Sequence, residues 1–420
     1  MTGERQGGVV LYVLRNRTYR HLFLAQLVAL VGTGLATVAL GLLAYDLAGV
    51  NAGTVLGTAL AIKMLAYVCV APIATALVHR VPRRTILVCL DVIRALLAAS
   101  LPFVTEVWQV YVLIFALQSA SAAFTPIFQA TIPDVLSDEK DYTQALSLSR
   151  LAYDLESLAS PVLAASLLTV IGFHGLFAGT AVGLLASAAL VMSVVLPVAI
   201  PSENFGIYER TTRGIRIYLA TPRLRGLLAL NMAIAAAGSM VIVNTVVWVQ
   251  SSFGLDQRAT ALGLGAFGGG SMIAALLLPK LLNRVADRDA MLAGALMLVL
   301  GLVAGGLLSG YGMLLSVWFW LGVGYSLAQT PSGRLLRRSV HPEDRPAIFA
   351  AHFALSHSCW LITYPLAGLI GSLAGMPVAS FVLAGIAISA VTAAVRLWPK
   401  LEADEIVQSR PQKEARTIVE

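Results

Sequence analysis

His79-Arg80-Val81-Pro82-Arg83-Arg84 is a short basic loop between two long apolar runs. About 204 residues later it is echoed by Asn283-Arg284-Val285-Ala286-Asp287-Arg288. Other markers return at nearly the same offset. Thr125-Pro126 reappears as Thr330-Pro331, the acidic pair Asp138-Glu139 as Glu343-Asp344, and Pro161 as Pro365. Each echo lies between apolar stretches. A membrane unit stated twice suits a machine whose halves rock about a central site. The expectation is an all-α membrane protein, with twelve transmembrane helices in two pseudo-symmetric six-helix halves.

Composition supports that reading. Hydrophobic residues make up 58% of the 420 residues and charged residues 12%, and mean hydropathy is +0.81. Soluble domains carry about 25% charged residues, so most of this chain belongs in lipid. The apolar segments are long and continuous, which argues for helices over the alternating short strands of a barrel. The first run, His21 to Leu47, is too long for a signal-peptide core and ends in no cleavage pattern, so a retained first span is expected.

The net charge of +7 and pI near 9.4 raise the question of nucleic acid, but the charge is distributed for a membrane. Arg5, Arg15, Arg17 and Arg20 precede the first span, and Arg80, Arg83 and Arg84 follow the second. Arg210, Arg213, Arg216, Arg223 and Arg225 fill the centre of the chain. Lys280, Arg284, Arg288, Arg334, Arg337, Arg338 and Arg345 occupy later alternate loops, and Arg396 and Lys400 lie at the end of the last span. The opposite loops contain one basic residue, Arg258. This asymmetry predicts a multi-pass inner-membrane protein with both termini cytoplasmic.

Twelve spans fit at about 21–47, 54–78, 85–104, 108–127, 143–170, 174–197, 225–250, 257–282, 289–309, 311–331, 346–370 and 376–398. The expected organisation is a first half at 1–197, a polar cytoplasmic linker at 198–224, a second half at 225–400 and a charged tail at 401–420. Trp108, Tyr111, Trp248, Tyr311 and Trp398 stand at span ends as interface anchors. Gly265/Gly269, Gly301/Gly305 and Gly371/Gly375 give the small-xxx-small spacing of close helix contacts. Cys69, Cys89 and Cys359 lie inside spans without metal or redox spacing and are expected as packing residues.

Gly263-Leu264-Gly265-Ala266-Phe267-Gly268 matches the dinucleotide fingerprint but lies within an apolar span with no strand before it, so it is expected as helix packing. There is no G-x-x-x-x-G-K-[ST] loop. The chain has no evident means of using ATP, and an ion gradient or a downhill solute must drive transport. No nucleophile–base pair or nucleotide loop points to an enzyme, and no cofactor is implied.

The layout resembles the major facilitator superfamily over essentially the whole chain. Its signature loop G-x-x-x-D-R-x-G-R-R aligns with Thr75-Ala76-Leu77-Val78-His79-Arg80-Val81-Pro82-Arg83-Arg84. The three arginines match; Thr75, His79 and Pro82 replace the glycines and the acid. In the family this loop helps lock the cytoplasmic gate, a role the resemblance carries to Arg80, Arg83 and Arg84 but not to the acid's place at His79. Arg20-His21-Leu22-Phe23-Leu24-Ala25-Gln26-Leu27, Phe124-Thr125-Pro126 and Ala159-Ser160-Pro161 are similar to the macrolide-efflux and enterobactin-exporter group. That resemblance implies export of amphipathic compounds in exchange for protons.

An ionisable group in hydrocarbon costs about 3 kcal/mol or more, so each needs a reason. Lys63 lies about 14 Å into the second span and Asp154 about 16 Å into the fifth. Arg150 and Asp154, at i and i+4, share a face. Glu156 points about 200° further round. Lys63 or substrate is expected to partner the acid that Arg150 leaves, and one carboxyl to carry a proton during the cycle; a fixed ion pair orienting the fifth helix is the competing reading. Asp91 and Arg94, at i and i+3, are expected in a structural cluster with Arg80, Arg83 and Arg84 at the gate, where His79 is either a pH sensor or an interfacial residue. His352 and His357 are about 140° apart and cannot chelate one metal from one helix face.

In the family the first, fourth, seventh and tenth spans line the cavity. That makes Gln26, Gln118, Asn231, Asn244 and Gln329 candidates to hydrogen-bond a polar organic solute. Trp318, Trp320 and Trp360 are candidates to stack on an aromatic one, or are packing residues. The expected function is proton-coupled export of a small amphipathic organic compound, such as a drug or siderophore, by a chain working as a monomer. An importer of the same fold, a metal-ion exporter and a non-transporting receptor stay open.

Overall fold

The structure, a computed structural model, describes residues 12–48, 52–77, 81–197 and 207–398. The helices are α1 (Arg17–Ala48), α2 (Ala52–Leu77), α3 (Arg83–Ser100), α4 (Val107–Val135), α5 (Glu139–Leu168), α6 (Phe173–Met192), α7 (Ile207–Ala220), α8 (Pro222–Val246), α9 (Gln257–Leu281), α10 (Asp287–Gly305), α11 (Tyr311–Gln329), α12 (Ser332–Ser339), α13 (Arg345–Ala374) and α14 (Met376–Leu397). No strand occurs among the described residues.

Each of the twelve expected spans coincides with a long helix. Ten are long and apolar enough to cross a bilayer. Of the other two, α2 is apolar apart from Lys63 and counts as the shorter apolar helix Ala61–Leu77, whereas α5 carries Arg150, Asp154 and Glu156 at membrane depth, and charge in mid-span weakens the apolar signal. The halves, α1–α6 and α8–α14, meet where α2 packs on α13 and α5 on α9. The end of the bundle carrying the arginine-rich loops is called the basic end below.

Two helices fall outside the expected spans. The central linker is not simply a connection: α7 forms within it, and α8 starts at Pro222, three residues early, because proline suits the first helical position. Arg213 Nε of α7 donates to Asp344 at 2.7 Å, Tyr218 of α7 hydrogen-bonds His352 of α13 at 3.1 Å, and a Cβ on Gly214 would lie 2.2 Å from the Ala347 carbonyl oxygen. The tenth span ends at Gln329, and Pro331 hands the chain to the short basic helix α12. The Thr-Pro echo is therefore unequal, since Pro126 lies inside an unbroken α4. The acidic echo is unequal too. Asp138 caps α5 by accepting from the Lys140 and Asp141 amides at 2.7 and 3.3 Å, whereas Asp344 stands at the cap of α13 and takes Arg213 instead.

Helices of the second half approach most closely at unpredicted glycines. A Cβ on Gly270 would lie 2.1 Å from the Phe319 carbonyl oxygen, and one on Gly322 1.9 Å from that of Phe267, which ties α9 to α11. Gly294 brings α10 to α11, 2.6 Å from the Ala328 amide nitrogen by the same construction. Gly301 and Gly305 do serve close contacts, with Leu321 and Ser380. Gly265 and Gly269 face open space, so that small-xxx-small pair is not a packing seam. Gly375, at φ +88°, turns the chain between α13 and α14.

Some expected aromatic and cysteine roles are corrected. Trp248 and Trp398 are buried rather than interfacial. Trp248 meets Trp318 edge-on at 5.8 Å, and Trp398 packs on Gly226. Trp318 donates its indole N–H to Thr245 Oγ1 at 2.7 Å and cannot stack on a solute. Trp320 is 45% exposed and bonds the Met297 carbonyl on α10. Cys359 is buried, but Cys69 and Cys89 are exposed and pack nothing away.

Candidate functional site

Counting 1.5 Å per residue from the basic end, Lys63 on α2, Asp154 on α5 and Trp360 on α13 all lie about 21–23 Å deep. They form one polar layer near the midplane, and α5 supplies its centre. One helical turn brings Arg150 over Asp154, as expected from the spacing: Nε donates to Oδ2 at 3.2 Å, and a second guanidinium nitrogen pairs with Oδ1. The other half closes on this pair. Arg150 Nε also donates to Ser271 Oγ of α9 at 3.0 Å, and its guanidinium lies 4.6 Å from the ring centre of Tyr325 on α11. Asp154 is 3% exposed. Removing one member of such a buried pair leaves an uncompensated charge, at about 3–5 kcal/mol.

Glu156 looks elsewhere, as its position on α5 requires. It lies against α1, where a Cβ on Gly34 would sit 2.7 Å from Glu156 Oε1. Lys63 is not its direct partner. Among the described residues the ammonium makes no ion pair within 4.0 Å. Instead Nζ stands 5.6 Å from the ring centre of Tyr67 on its own helix. The Tyr67 hydroxyl donates to Gln118 Oε1 of α4 at 3.0 Å, and its ring meets Phe353 and His357 of α13, each at 4.9 Å.

The candidate cavity residues divide. Gln26 accepts from Ser149 of α5 at 3.1 Å, Gln118 from Tyr67, and Gln329 is half-buried on α11. Trp360 reaches Tyr325 and Tyr364 at 6.5 and 5.0 Å, in space left by Gly238. Asn231 and Asn244 are not available to a solute. Both are buried; Asn231 donates to the Leu227 carbonyl of its own helix, and Asn244 to the Ala367 carbonyl of α13 at 3.1 Å. His352 bonds Tyr218 while His357 donates to the Phe353 carbonyl at 2.7 Å, so the two histidines diverge. Among the described residues no three His, Cys, Asp or Glu side chains gather as a metal site.

At the basic end the halves are clamped by ion pairs. Asp134, at the end of α4, takes Arg83 of its own half at 2.5 Å and Arg345 of the other half. Glu139 takes Arg334 at 2.7 Å and Arg338, and both arginines also reach Asp287, at 3.4 and 3.0 Å. Arg337 reaches across to the Ser137 carbonyl and lies over Tyr142 at 5.3 Å; burial holds its guanidinium below the usual arginine value. Of the expected gate residues, Arg83 is in this clamp. His79 and Arg80 lie outside the described residues. Arg84 bonds the Met192 carbonyl within its own half.

Asp91 and Arg94 do not belong to the gate. They pair inside the first half, where Ser187 of α6 donates to Asp91 Oδ2 at 2.7 Å and Arg94 lies 4.1 Å from the Phe124 ring centre of α4. Sequence reasoning did not single out Asp134, Glu139, Asp287, Arg334, Arg338 or Arg345 as gate partners. The signal was the alternation of basic loops around the repeated acidic pair: loops expected on one side of a membrane hold opposite charges in reach.

Residues 22–233 and 227–420 each match the Major Facilitator Superfamily. The chain belongs to this superfamily. It is a multi-pass membrane transporter and not an enzyme. Among relatives, the MFS-type transporter YfiS of Bacillus subtilis is 22% identical over 67% of this chain and 69% of its own. The MFS-type transporter YhhS of Escherichia coli is 28% identical over 54% of this chain and 56% of its own. Solved structures share the fold. The human organic anion transporter TETRAN superposes at a TM-score of 0.77 and 13% identity over 90% of this chain and 99% of its own. A bacterial homologue of the iron transporter ferroportin in an outward-facing state gives 0.75 and 15%, over 90% and 99%. The E. coli fucose:proton symporter FucP gives 0.73 and 14%, over 91% and 98%.

Proposed function

We propose that this facilitator exports a small amphipathic organic compound across the inner membrane in exchange for protons. The observation that carries the reading is the Arg150–Asp154 pair, built on one half and enclosed by Ser271 and Tyr325 of the other. When the halves rock, α5 parts from α9 and α11, and the pair exchanges those contacts for water. The proton affinity of a carboxyl follows its solvation and its neighbours, so Asp154 holds its proton differently in the two states. That difference is what coupling requires.

On this reading the halves at 1–197 and 225–400 move as units joined by the linker at 198–224, and 401–420 is a tail. The basic end and both termini face the cytoplasm, in keeping with the arginine asymmetry. The Asp134 and Glu139 clamps close that end, leaving the midplane layer to open the other way. Similarity to the macrolide-efflux and enterobactin-exporter group supports export. The neutral amides Gln26, Gln118 and Gln329 with Trp360 suit a solute that is part polar and part aromatic.

Everted and right-side-out vesicles with an imposed pH gradient test this. The expected result is extrusion from the cytoplasmic side driven by inward proton flow, abolished by Asp154→Asn, with substrate binding retained. Solute movement only towards the cytoplasmic side, or full proton-driven export by the Asn variant, contradicts the proposal.

A further inference from the structure

The charge on α2 is not used by the proton-coupling pair. Lys63 lies about 21 Å from the basic end and is half-buried. Its direction is fixed by its neighbours. One turn further along the same helix, Tyr67 packs on Phe353 and His357 of α13 and bonds Gln118 of α4, so this face of α2 looks into the bundle. The ammonium stands 5.6 Å from the ring centre of Tyr67, on that same face. Lys63 therefore lies on the face of α2 that meets α4 and α13.

What surrounds it there is apolar or neutral. Tyr67 lies beneath the ammonium and packs on Phe353, and the Oε1 of Gln118 accepts from the Tyr67 hydroxyl, which leaves the neutral Gln118 amide nitrogen. The imidazole of His357 spends one nitrogen on the Phe353 carbonyl. Asp154 is taken by Arg150. Glu156, the remaining acid, is held at the α1–α5 contact beside Gly34, without an ion pair to Lys63. A lysine in this position is costly as a structural element, since leucine would fill the volume without a desolvated charge. A ligand anion would repay that cost.

We infer that Lys63, with Tyr67, Phe353 and His357, forms the head-group pocket for an organic anion that carries an aromatic or apolar body. The carboxylate or sulfonate of the ligand accepts from the Lys63 ammonium, and its body lies along the Tyr67 and Phe353 rings towards Trp360. This rests on the proposed reading of the midplane layer as the substrate site, and adds the substrate's charge.

The test is equilibrium binding to the purified full chain in nanodiscs, with naphthoate, naphthylmethanol and naphthylmethylammonium as matched anionic, neutral and cationic probes. A hydrogen bond to a charged partner in such a site should make naphthoate at least about tenfold tighter than the other two. Lys63→Gln should erase that preference and Lys63→Arg keep it, with far-UV circular dichroism and monodispersity verifying the fold. Glu156→Gln, which removes the competing carboxylate, should tighten naphthoate and tests the idea even where Lys63→Gln does not fold. Preference for the neutral or cationic probe, no naphthoate binding, a preference that survives Lys63→Gln, or weakened naphthoate binding in Glu156→Gln overturns the inference. Proton-driven export measured in vesicles is a separate readout. Its loss with the anion preference intact contradicts the coupling proposal, and its persistence without that preference contradicts only this one.

Discussion

Single residues decide whether a buried charge is structure or mechanism, and sequence spacing alone does not. Asp91/Arg94 and Arg150/Asp154 both read as pairs one helical turn apart, and both form. Their surroundings separate them. Asp91 and Arg94 are enclosed by α4 and α6 of the same half, so rocking leaves them unchanged. Arg150 and Asp154 are covered by the opposite half. Asp91→Asn should therefore lower stability by about 3–5 kcal/mol by stranding Arg94. The double replacement Asp91→Leu with Arg94→Met should cost less than the single change. Thermal unfolding in detergent checks both, and a single change as mild as the double would contradict the account. The asparagines on α8 teach the same lesson. Their amide chemistry was visible in the sequence, but the carbonyls of Leu227 and Ala367 that consume it come from the fold.

Among the elements, the long helices were the legible part. Continuous apolar runs and loop charges located all twelve, including α2 and α5, where charge interrupts the run. The short amphipathic helices α7 and α12 were not legible, because polar, arginine-rich stretches read as loops until an apolar neighbour is known. Helix contacts were partly legible: spacing identified Gly301 and Gly305, but it also chose Gly265 and Gly269, which face open space, and passed over Gly270 and Gly322. Four-residue spacing puts two small residues on one face without saying what that face meets. Gly322→Ala should force α9 and α11 apart and destabilise by about 1–3 kcal/mol, whereas Gly265→Ala should be neutral or slightly stabilising. Equal melting temperatures for the two variants would contradict the packing described.

For the whole molecule, the doubled sequence announced two halves, and the structure shows how the copies differ in use. The basic-end clamp draws on both: Asp134 and Glu139 from the first, Asp287, Arg334, Arg338 and Arg345 from the second. The midplane charges sit in the first copy alone, while the second supplies Ser271, Tyr325, His357 and Trp360 around them. On the proposed export by proton exchange, Asp154 is the point where proton and conformation meet. Spin labels on cysteines placed at exposed Lys140 and His341, in opposite halves at the basic end, report the clamp directly. The account predicts that the distance distribution between them shifts with pH in a chain whose native cysteines are replaced by serine, and that adding Asp154→Asn holds it constant across the same range. A pH shift in the Asn variant as large as in its Asp154 parent would contradict proton coupling through Asp154.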